Sequence, residues 1–151
     1  MAVVGFKRGS RYVGGYVGSR AMRDRWVGPK VEALAEGTRS LARVAGKYPQ
    51  SAYAGLTQSL QSEWTYLSRL VDGVGDHLQP IKAAIRDSFL PALLGLQKEE
   101  ITDEFRSLLA NGVKQGGLNI RDPVQNAARH YASSSEAGVT LVASLLDHTV
   151  L

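Results

Sequence analysis

The chain has 151 residues, of which 44% are hydrophobic and 21% are charged, and its net charge is +4. This length suits one domain with its own core, and the composition excludes a chain that is disordered throughout. The absence of cysteine excludes disulfides and thiolate metal sites and fits a reducing compartment, so we expect an intracellular protein, cytoplasmic or nuclear. The longest apolar run, residues 89–96, is much shorter than the ~20 residues that span a membrane, so we expect no membrane partner.

Positive charge is concentrated in the first third of the sequence. Residues 1–47 contain ten Lys or Arg against three Asp or Glu, a net charge of +7, whereas residues 48–151 have a net charge of −3. Such an uneven field attracts a polyanion to one end of a protein. A basic face that is simply solvated, with no ligand, is the alternative.

Residues 1–19 are predicted to form a β-hairpin. Residues 2–6 are a short apolar run, residues 7–10 contain turn-forming residues, and residues 11–18 follow as a second strand. A two-stranded hairpin is marginal in water on its own, so we expect it to pack on the helices that follow.

Two long helices are predicted next, because apolar residues recur at spacings of three and four. The helical period of the first begins at about Arg20, and its start lies either there or at Pro29 after an irregular stretch at residues 20–28; it ends at Gly46. Its inward stripe consists of Val27, Val31, Leu34, Thr38, Leu41 and Ala45. The second covers residues 50–71. Its inward stripe, with the expected core tryptophan, consists of Tyr53, Leu56, Leu60, Trp64, Leu67 and Val71.

The opposite face of this second helix is polar but uncharged. It carries Thr57, Gln58, Gln61, Ser62, Thr65 and Ser68. A freely solvated helix face normally carries more charge. We therefore expect a second element of the chain, or a partner, to cover this face.

Shorter helices are predicted in the rest of the chain. One starts near Pro80 and ends or kinks at Pro91, since proline lacks an amide hydrogen and clashes with the preceding turn. Thr102 and Asp122 are expected to cap two more helices, and residues 133–136 offer a further cap. The last helix is lined by Val139, Val142, Leu145 and Leu146. The predicted fold class is mainly α: a helical bundle of about five to six helices with a short N-terminal β-hairpin.

Spacings typical of catalytic or metal sites are absent from the sequence. His77, His130 and His148 lie in separate elements, without the spacing of a zinc site. No nucleophile-elbow sequence occurs, and the glycine-rich residues 9–19 lack the pattern of a P-loop. We therefore expect no metal, no other cofactor and no small-molecule substrate.

Two glycine-rich segments carry a family resemblance: GSRYVGGYVGS at residues 9–19 and QGGLNIRDP at residues 115–123. The first resembles the YLGG strand that follows the catalytic palm in retroelement (retrotransposon) reverse transcriptases. The second resembles the GGLGI..P segment near the end of their polymerase region. Residues 62–70 and 80–95 between them are similar in order and spacing, so the resemblance covers nearly the whole chain.

Two residues depart from the family's pattern. Val13 replaces the usual Leu, and Asn119 replaces the last Gly of GGLGI. Asparagine is the next-best residue after glycine for a left-handed backbone conformation, so we expect Asn119 to be tolerated.

The resemblance implies a thumb-like region that lies after the palm. Residues 1–19 would form the hairpin beside the primer grip, and residues 20–151 would form a thumb-like helical bundle that holds the primer–template duplex, the two making one structural domain. The polymerase itself binds two magnesium ions through palm aspartates, including a pair that follows a tyrosine. No such pair occurs in this sequence, and we expect no fingers or palm region before Met1. We therefore expect a non-catalytic fragment of an RNA-directed DNA polymerase.

Phosphate contacts are expected from basic residues near the N-terminus, namely Lys7, Arg8, Arg11, Arg20, Arg23 and Arg25. Tyr12 and Tyr16 share one face of the predicted second strand, where they either stack on nucleic acid or seal the hairpin on a helix. Arg121 is expected as a surface residue at a helix start. The expected partners are duplex RNA or DNA and the palm domain.

A small helical protein-interaction module with no nucleic-acid role is the alternative. The apolar patch at residues 90–96 and the neutral face of the second helix would then dock on a palm domain or another subunit. Salt discriminates between the two functions, because a phosphate-driven binder loses affinity steeply as the salt concentration rises.

Overall fold

Two short strands precede the helices in the computed structural model, which describes residues 9–12 and 15–147. Strand β1 (Gly9–Tyr12) pairs antiparallel with β2 (Gly15–Gly18), with Gly9 opposite Gly18. The first strand expected from the sequence, at residues 2–6, lies outside the described residues. The hairpin of residues 1–19, as expected from the sequence, therefore stays a prediction.

Helix α1 (Arg20–Ala45) starts where the helical period begins in the sequence, not at Pro29. The side chain of Ser19 caps it by accepting a hydrogen bond from the amide of Met22. Pro29 lies inside the helix, so the expected irregular stretch before it is wrong. Gly28 explains part of this, because the residue before a proline leaves the helical region chiefly through steric conflict at its Cβ, which glycine lacks.

A second continuous helix, the central helix, spans residues 49–70. It consists of α2 (Pro49–Ala54), a π-helical segment (Gly55–Leu60) and α3 (Gln61–Leu70). The predicted inward stripe is confirmed: Leu56, Trp64 and Leu67 are buried, and the rest of the stripe packs in or against the same core.

A third continuous helix follows a 3-10 turn (Gly75–Leu78). It consists of α4 (Gln79–Ala84), a π-helical segment (Ile85–Phe89) and α5 (Leu90–Leu94), and so passes through Pro91 without ending there. The π segment lies directly before the proline. A widened turn at this position leaves room for the proline ring and for the carbonyl that has lost its donor.

Two further helices complete the bundle. Helix α6 (Asp103–Ala110) is capped by Thr102, and α7 (Pro123–Leu146) is capped by Asp122, as predicted. Short 3-10 turns lie at Lys98–Glu100 and Val113–Gln115. The separate last helix expected after residues 133–136 is wrong, because α7 runs without interruption for 24 residues.

The mainly α fold is confirmed, with five helices in the described residues around one cluster of buried apolar side chains. Trp64 lies in this cluster at 2% exposure, together with Phe89 and Leu90. Leu93, Leu94 and Leu96 pack partly against it, so the apolar patch at residues 90–96 mostly serves the core. None of the helices in the described residues combines the length and apolar character needed to span a bilayer.

Candidate nucleic-acid interface

The motif segment, residues 116–122, is held by three side chains from other elements. Tyr53 Oη donates to the carbonyl of Leu118 at 2.6 Å, and Gln61 Nε2 donates to the carbonyl of Asn119 at 2.9 Å. Arg106 Nη1 donates to the next carbonyl, that of Ile120, at 2.7 Å. Three successive carbonyls of an irregular segment are thereby satisfied, as buried backbone groups must be.

The motif segment packs against part of the neutral polar face of the central helix. Gln61, which is buried, also accepts a hydrogen bond through Oε1 from the amide of Arg121 at 2.9 Å. Ser68 is buried as well and donates to the carbonyl of Trp64, while α7 packs along α3. The face expected to need a cover is thus partly covered by the chain's own motif segment and α7.

The other side of the motif segment packs on the end of α6. Leu118 and Ile120 both donate their amide hydrogens to the carbonyl of Leu109. A Cβ on Gly117 would overlap the carbonyl oxygen of Asn111. Asn119 has a φ of 56°, the left-handed conformation that asparagine was expected to tolerate in place of glycine. The close contact at Gly117 and the left-handed backbone at Asn119 therefore explain why these residue types occur at these positions of QGGLNIRDP.

A polar cleft opens beside this segment, between the end of α6 and the first turns of α7. We call it the amide cleft, and its volume is about 750 Å³. Its lining has two arginines and no acidic residue. The polar lining residues are Ser107, Asn111, Gln115, Asn119, Arg121, Gln125, Asn126 and Arg129.

The pKa of His130 reflects the positive charge beside the amide cleft. Its pKa lies below the ordinary histidine value, first because burial disfavours the charged imidazolium and then because Arg69, Arg121 and Arg129 repel a further positive charge. Within the described residues, none of these three arginines forms an ion pair with a carboxylate. The three guanidinium groups around the imidazole form a positive surface next to the cleft.

Stability should fall as the pH is lowered from 8 to 5, and His130→Gln should flatten this dependence. The lowered pKa means that the unfolded chain takes up a proton below about pH 6.5 while the folded chain resists it. Urea unfolding at several pH values measures the slope. The carboxylate of Asp122 also has a lowered pKa, but it titrates below this window. Equal slopes in the wild-type chain and the His130→Gln variant would contradict the expectation.

The basic residues expected to contact phosphate are not all open to solvent. Arg20 and Arg25 are exposed on the first turns of α1. Arg23 is engaged: Nε and Nη2 donate to the carboxylate of Asp24, and Nη1 donates to the carbonyl of Asp72 at 2.5 Å. This guanidinium ties the start of α1 to the turn after α3. Lys7 and Arg8, and the side chains of Arg11, Tyr12 and Tyr16, lie outside what the structure describes.

The second half of α1 neutralises its own charge. Arg39 binds both Glu32 and Glu36, at 2.7 and 2.9 Å, and Arg43 binds Glu36 at 2.7 Å. The hydrogen bonds from the two arginines lower the pKa of Glu36. Lys30 lies over the ring of Trp26 at 4.7 Å. The excess positive charge of α1 is therefore concentrated in its first half.

Sequence reasoning missed the arginine group beside the amide cleft, since its members come from α3, the motif segment and α7. Arg121 lies within the resemblance motif but was expected to be a surface residue. Gln125 and Arg129 follow it at intervals of four, which place them on one face of α7. That spacing is the feature of the sequence from which the arginine group could have been predicted. No sequence pattern indicates that Arg69 of α3 lies near it.

Comparison with family models, with curated proteins and with solved structures finds no match to this chain. In the described part of the chain, no three His, Asp or Glu side chains are grouped as metal ligands. The concentrations of Arg and Lys side chains are the features with a definite ligand chemistry, and that chemistry is the binding of anions.

Proposed function

We propose that this chain contacts the phosphate backbone of nucleic acid without catalysing a reaction, as a thumb-like fragment of a reverse-transcriptase-like protein. The observation that carries the proposal is the exposed positive charge at the start of α1. Arg20 and Arg25 have no carboxylate partner among the described residues, whereas the arginines in the second half of α1 do. Lys7, Arg8 and Arg11 precede them in the sequence and would extend the same charge.

The conformation of the motif segment supports the reverse-transcriptase part of the proposal. Residue 119 has a positive φ, and this is the position where the family's GGLGI pattern has a glycine. Gly117, which the pattern shares, fills a place where a side chain would overlap backbone. Residues 115–123 thus have a conformation that would suit a glycine at both positions, and this chain has glycine at 117 and asparagine at 119.

A protein-interaction role is the second candidate, and the end of α7 favours it. Val139 is 71% exposed and Leu146 is 74% exposed. Leu141, Val142 and Leu145 are exposed with them. This surface replaces the patch at residues 90–96, whose Leu90 is buried. A partner bound by apolar contact tolerates salt, whereas phosphate contacts do not.

Duplex nucleic acid should bind with micromolar or weaker affinity, without sequence preference, and the affinity should fall steeply with salt. Replacing Arg20 and Arg25 with glutamine should weaken binding and reduce the log–log salt slope by about 2, because about one counterion is released for each phosphate contact. Fluorescence anisotropy with short DNA and RNA–DNA duplexes, between about 50 and 200 mM salt, measures both quantities.

The matched control replaces Arg39 and Arg43 with glutamine. It removes the same two charges from the same helix, but from arginines already paired with Glu32 and Glu36. The control should leave the salt slope closer to that of the wild-type chain. If the two double variants weaken binding equally, binding depends on the net charge of the chain and not on the charge at the start of α1. No binding at about 50 mM salt would reject the proposal.

A further inference from the structure

The amide cleft has the composition of an anion site. Its ten lining residues include two arginines, five carboxamide side chains and a serine, and none of them is acidic. Guanidinium groups carry donors only, and a carboxamide offers two N–H donors. The cleft lies on the motif segment, α6 and α7, whereas the proposed nucleic-acid contacts lie on the N-terminal residues and the start of α1. A ligand here would be an addition to that function.

The two arginines of the cleft are held in place by asparagines. Arg121 Nε donates to Oδ1 of Asn119 at 3.2 Å, and Arg129 Nη2 donates to Oδ1 of Asn126 at 2.6 Å. Both asparagine oxygens are therefore already occupied as acceptors. Each guanidinium keeps further N–H groups, because arginine has five. Asn126 Nδ2 also donates to the carbonyl of Asp122 at 3.0 Å. The N–H groups that remain on the guanidinium and carboxamide groups still outnumber the acceptors in the cleft.

The carboxylate that directly follows Arg121 in the chain is already used elsewhere. Asp122 caps α7 by accepting from the amides of Val124 and Gln125, and it pairs with Lys82 at 3.1 Å. On the positive side, Arg69 joins the cleft's own arginines in lowering the pKa of His130, so its charge acts on the same surface. The local field therefore favours an anion, although residues 48–151 as a whole have a net negative charge.

We propose that the amide cleft binds a phosphate group. Two guanidinium groups with several amide donors match the three or more acceptor oxygens of a phosphate better than the two of a carboxylate. A volume of about 750 Å³ exceeds what a phosphate ion needs, so the phosphate belongs to a larger ligand. Two sources share this chemistry, a free nucleotide and a phosphodiester of a nucleic-acid strand.

The test is an NMR titration of the full chain at constant ionic strength, with chloride replaced by inorganic phosphate. Saturable shifts are expected at the side-chain amides of Asn119 and Asn126 and at the His130 ring. The pKa of His130 should also rise when an anion offsets the nearby guanidinium charges. Arg129→Gln should weaken binding about tenfold or more, since a hydrogen bond to a charged group is involved.

Arg43→Gln is the matched control, because Arg43 is an exposed arginine on α1, an element that contributes no residue to the cleft. It should leave the phosphate shifts unchanged. Arg129 itself is exposed and its hydrogen bond is to Asn126, three residues away, so its variant should fold. Should Arg129→Gln nevertheless fail to fold, Arg129→Lys keeps the charge but not the fork of donors, and weaker binding by that variant supports the proposal equally.

Titrations with two further ligands distinguish a free nucleotide from a nucleic-acid strand as the source of the phosphate. Tighter binding of a nucleoside 5′-monophosphate than of inorganic phosphate, at the same signals, supports a free nucleotide. Tighter binding of a short single strand without terminal phosphates supports the nucleic-acid backbone. Absent or unsaturable shifts, or equal losses in Arg129→Gln and Arg43→Gln, would overturn the site. Because Arg20 and Arg25 are intact throughout, failure here leaves the proposed contact at α1 standing.

Discussion

Replacing Gly117 with alanine is expected to lower the free energy of unfolding by about 3 kcal/mol or more. The new Cβ would overlap the carbonyl oxygen of Asn111 and lie 2.5 Å from that of Leu108. Both atoms belong to the backbone at the end of α6, so neither can rotate away as a flexible side chain would. The segment must move outward, and the amide bonds of residues 118 and 120 to Leu109 would then be strained or lost. Urea unfolding followed by tryptophan fluorescence measures the loss.

Gly138→Ala is the matched control for this substitution. Gly138 lies inside α7, and apart from the adjoining backbone of that helix no atom would come within 4 Å of its new Cβ. Alanine should stabilise the chain there by about 0.5–1 kcal/mol, since glycine weakens a helix interior. Opposite signs for the two alanine variants would establish close packing as the cause at Gly117. A small loss at Gly117, comparable with the change at Gly138, would contradict the tight contact with α6.

The buried faces of the long helices could be predicted because burial repeats with the helical period. Val27, Val31 and Leu34 are buried where the spacing placed them. Thr38, the polar member of the same stripe, is fully buried because its hydroxyl donates to the carbonyl of Leu34 at 2.9 Å. Periodicity is a property of neighbours in the chain, so one sequence is sufficient to read it.

The helix boundaries were predicted less well, because caps and prolines are only local tendencies. Residues 133–136 have the composition of a cap, but no strong helix-breaking residue stands before them in α7. Pro29 and Pro91 are strong local signals, yet both lie inside helices. At Pro91 a π-helical segment absorbs the disturbance, a solution that depends on packing and leaves no pattern in the sequence.

The positive surface beside the amide cleft could not be predicted from charge counts. Residues 48–151 are net negative, but three of their carboxylates are paired with Lys or Arg in the described part of the fold. Asp103 binds Arg86 at 2.6 Å and Asp122 binds Lys82 at 3.1 Å. None of the described carboxylates forms an ion pair with Arg69, Arg121 or Arg129. Local potential depends on which charges meet in three dimensions, and the sum over a segment conceals it.

The amide cleft and the core depend on each other through the motif segment. The amide of Arg121 is held by Gln61, which belongs to the buried face of the central helix. The carbonyl of Arg121 accepts from Arg106 Nη2 at 3.2 Å. The backbone of a cleft residue is therefore fixed on both sides of its Cα atom by side chains that never reach the cleft. Replacing either Gln61 or Arg106 should therefore loosen the cleft as well as destabilise the fold.

Arg106→Met is expected to destabilise the chain by about 3 kcal/mol, with little change of side-chain volume. Arg106 is 7% exposed, and it is the side chain that donates to the carbonyls of Ile120 and Arg121. Burial lowers the pKa of its guanidinium, and the charge is sustained by Asp122 nearby. Methionine fills the space but leaves two inward carbonyls without a donor, each costing about 1–3 kcal/mol. Urea unfolding measures the loss, and Arg43→Met, at an exposed position, should cost far less.

A double-mutant cycle with Gln61→Met tests whether the two side chains act on one segment. If Arg106 and Gln61 hold residues 119–121 together, the first substitution already frees that backbone, and the second removes less than it would alone. The double variant should therefore lose less stability than the two single variants combined, by more than about 0.5 kcal/mol. Additive losses would mean that the segment is held independently at each carbonyl. Gln61 and Arg106 would then act on the segment separately, and the proposed dependence of the cleft on the central helix through Gln61 would be wrong.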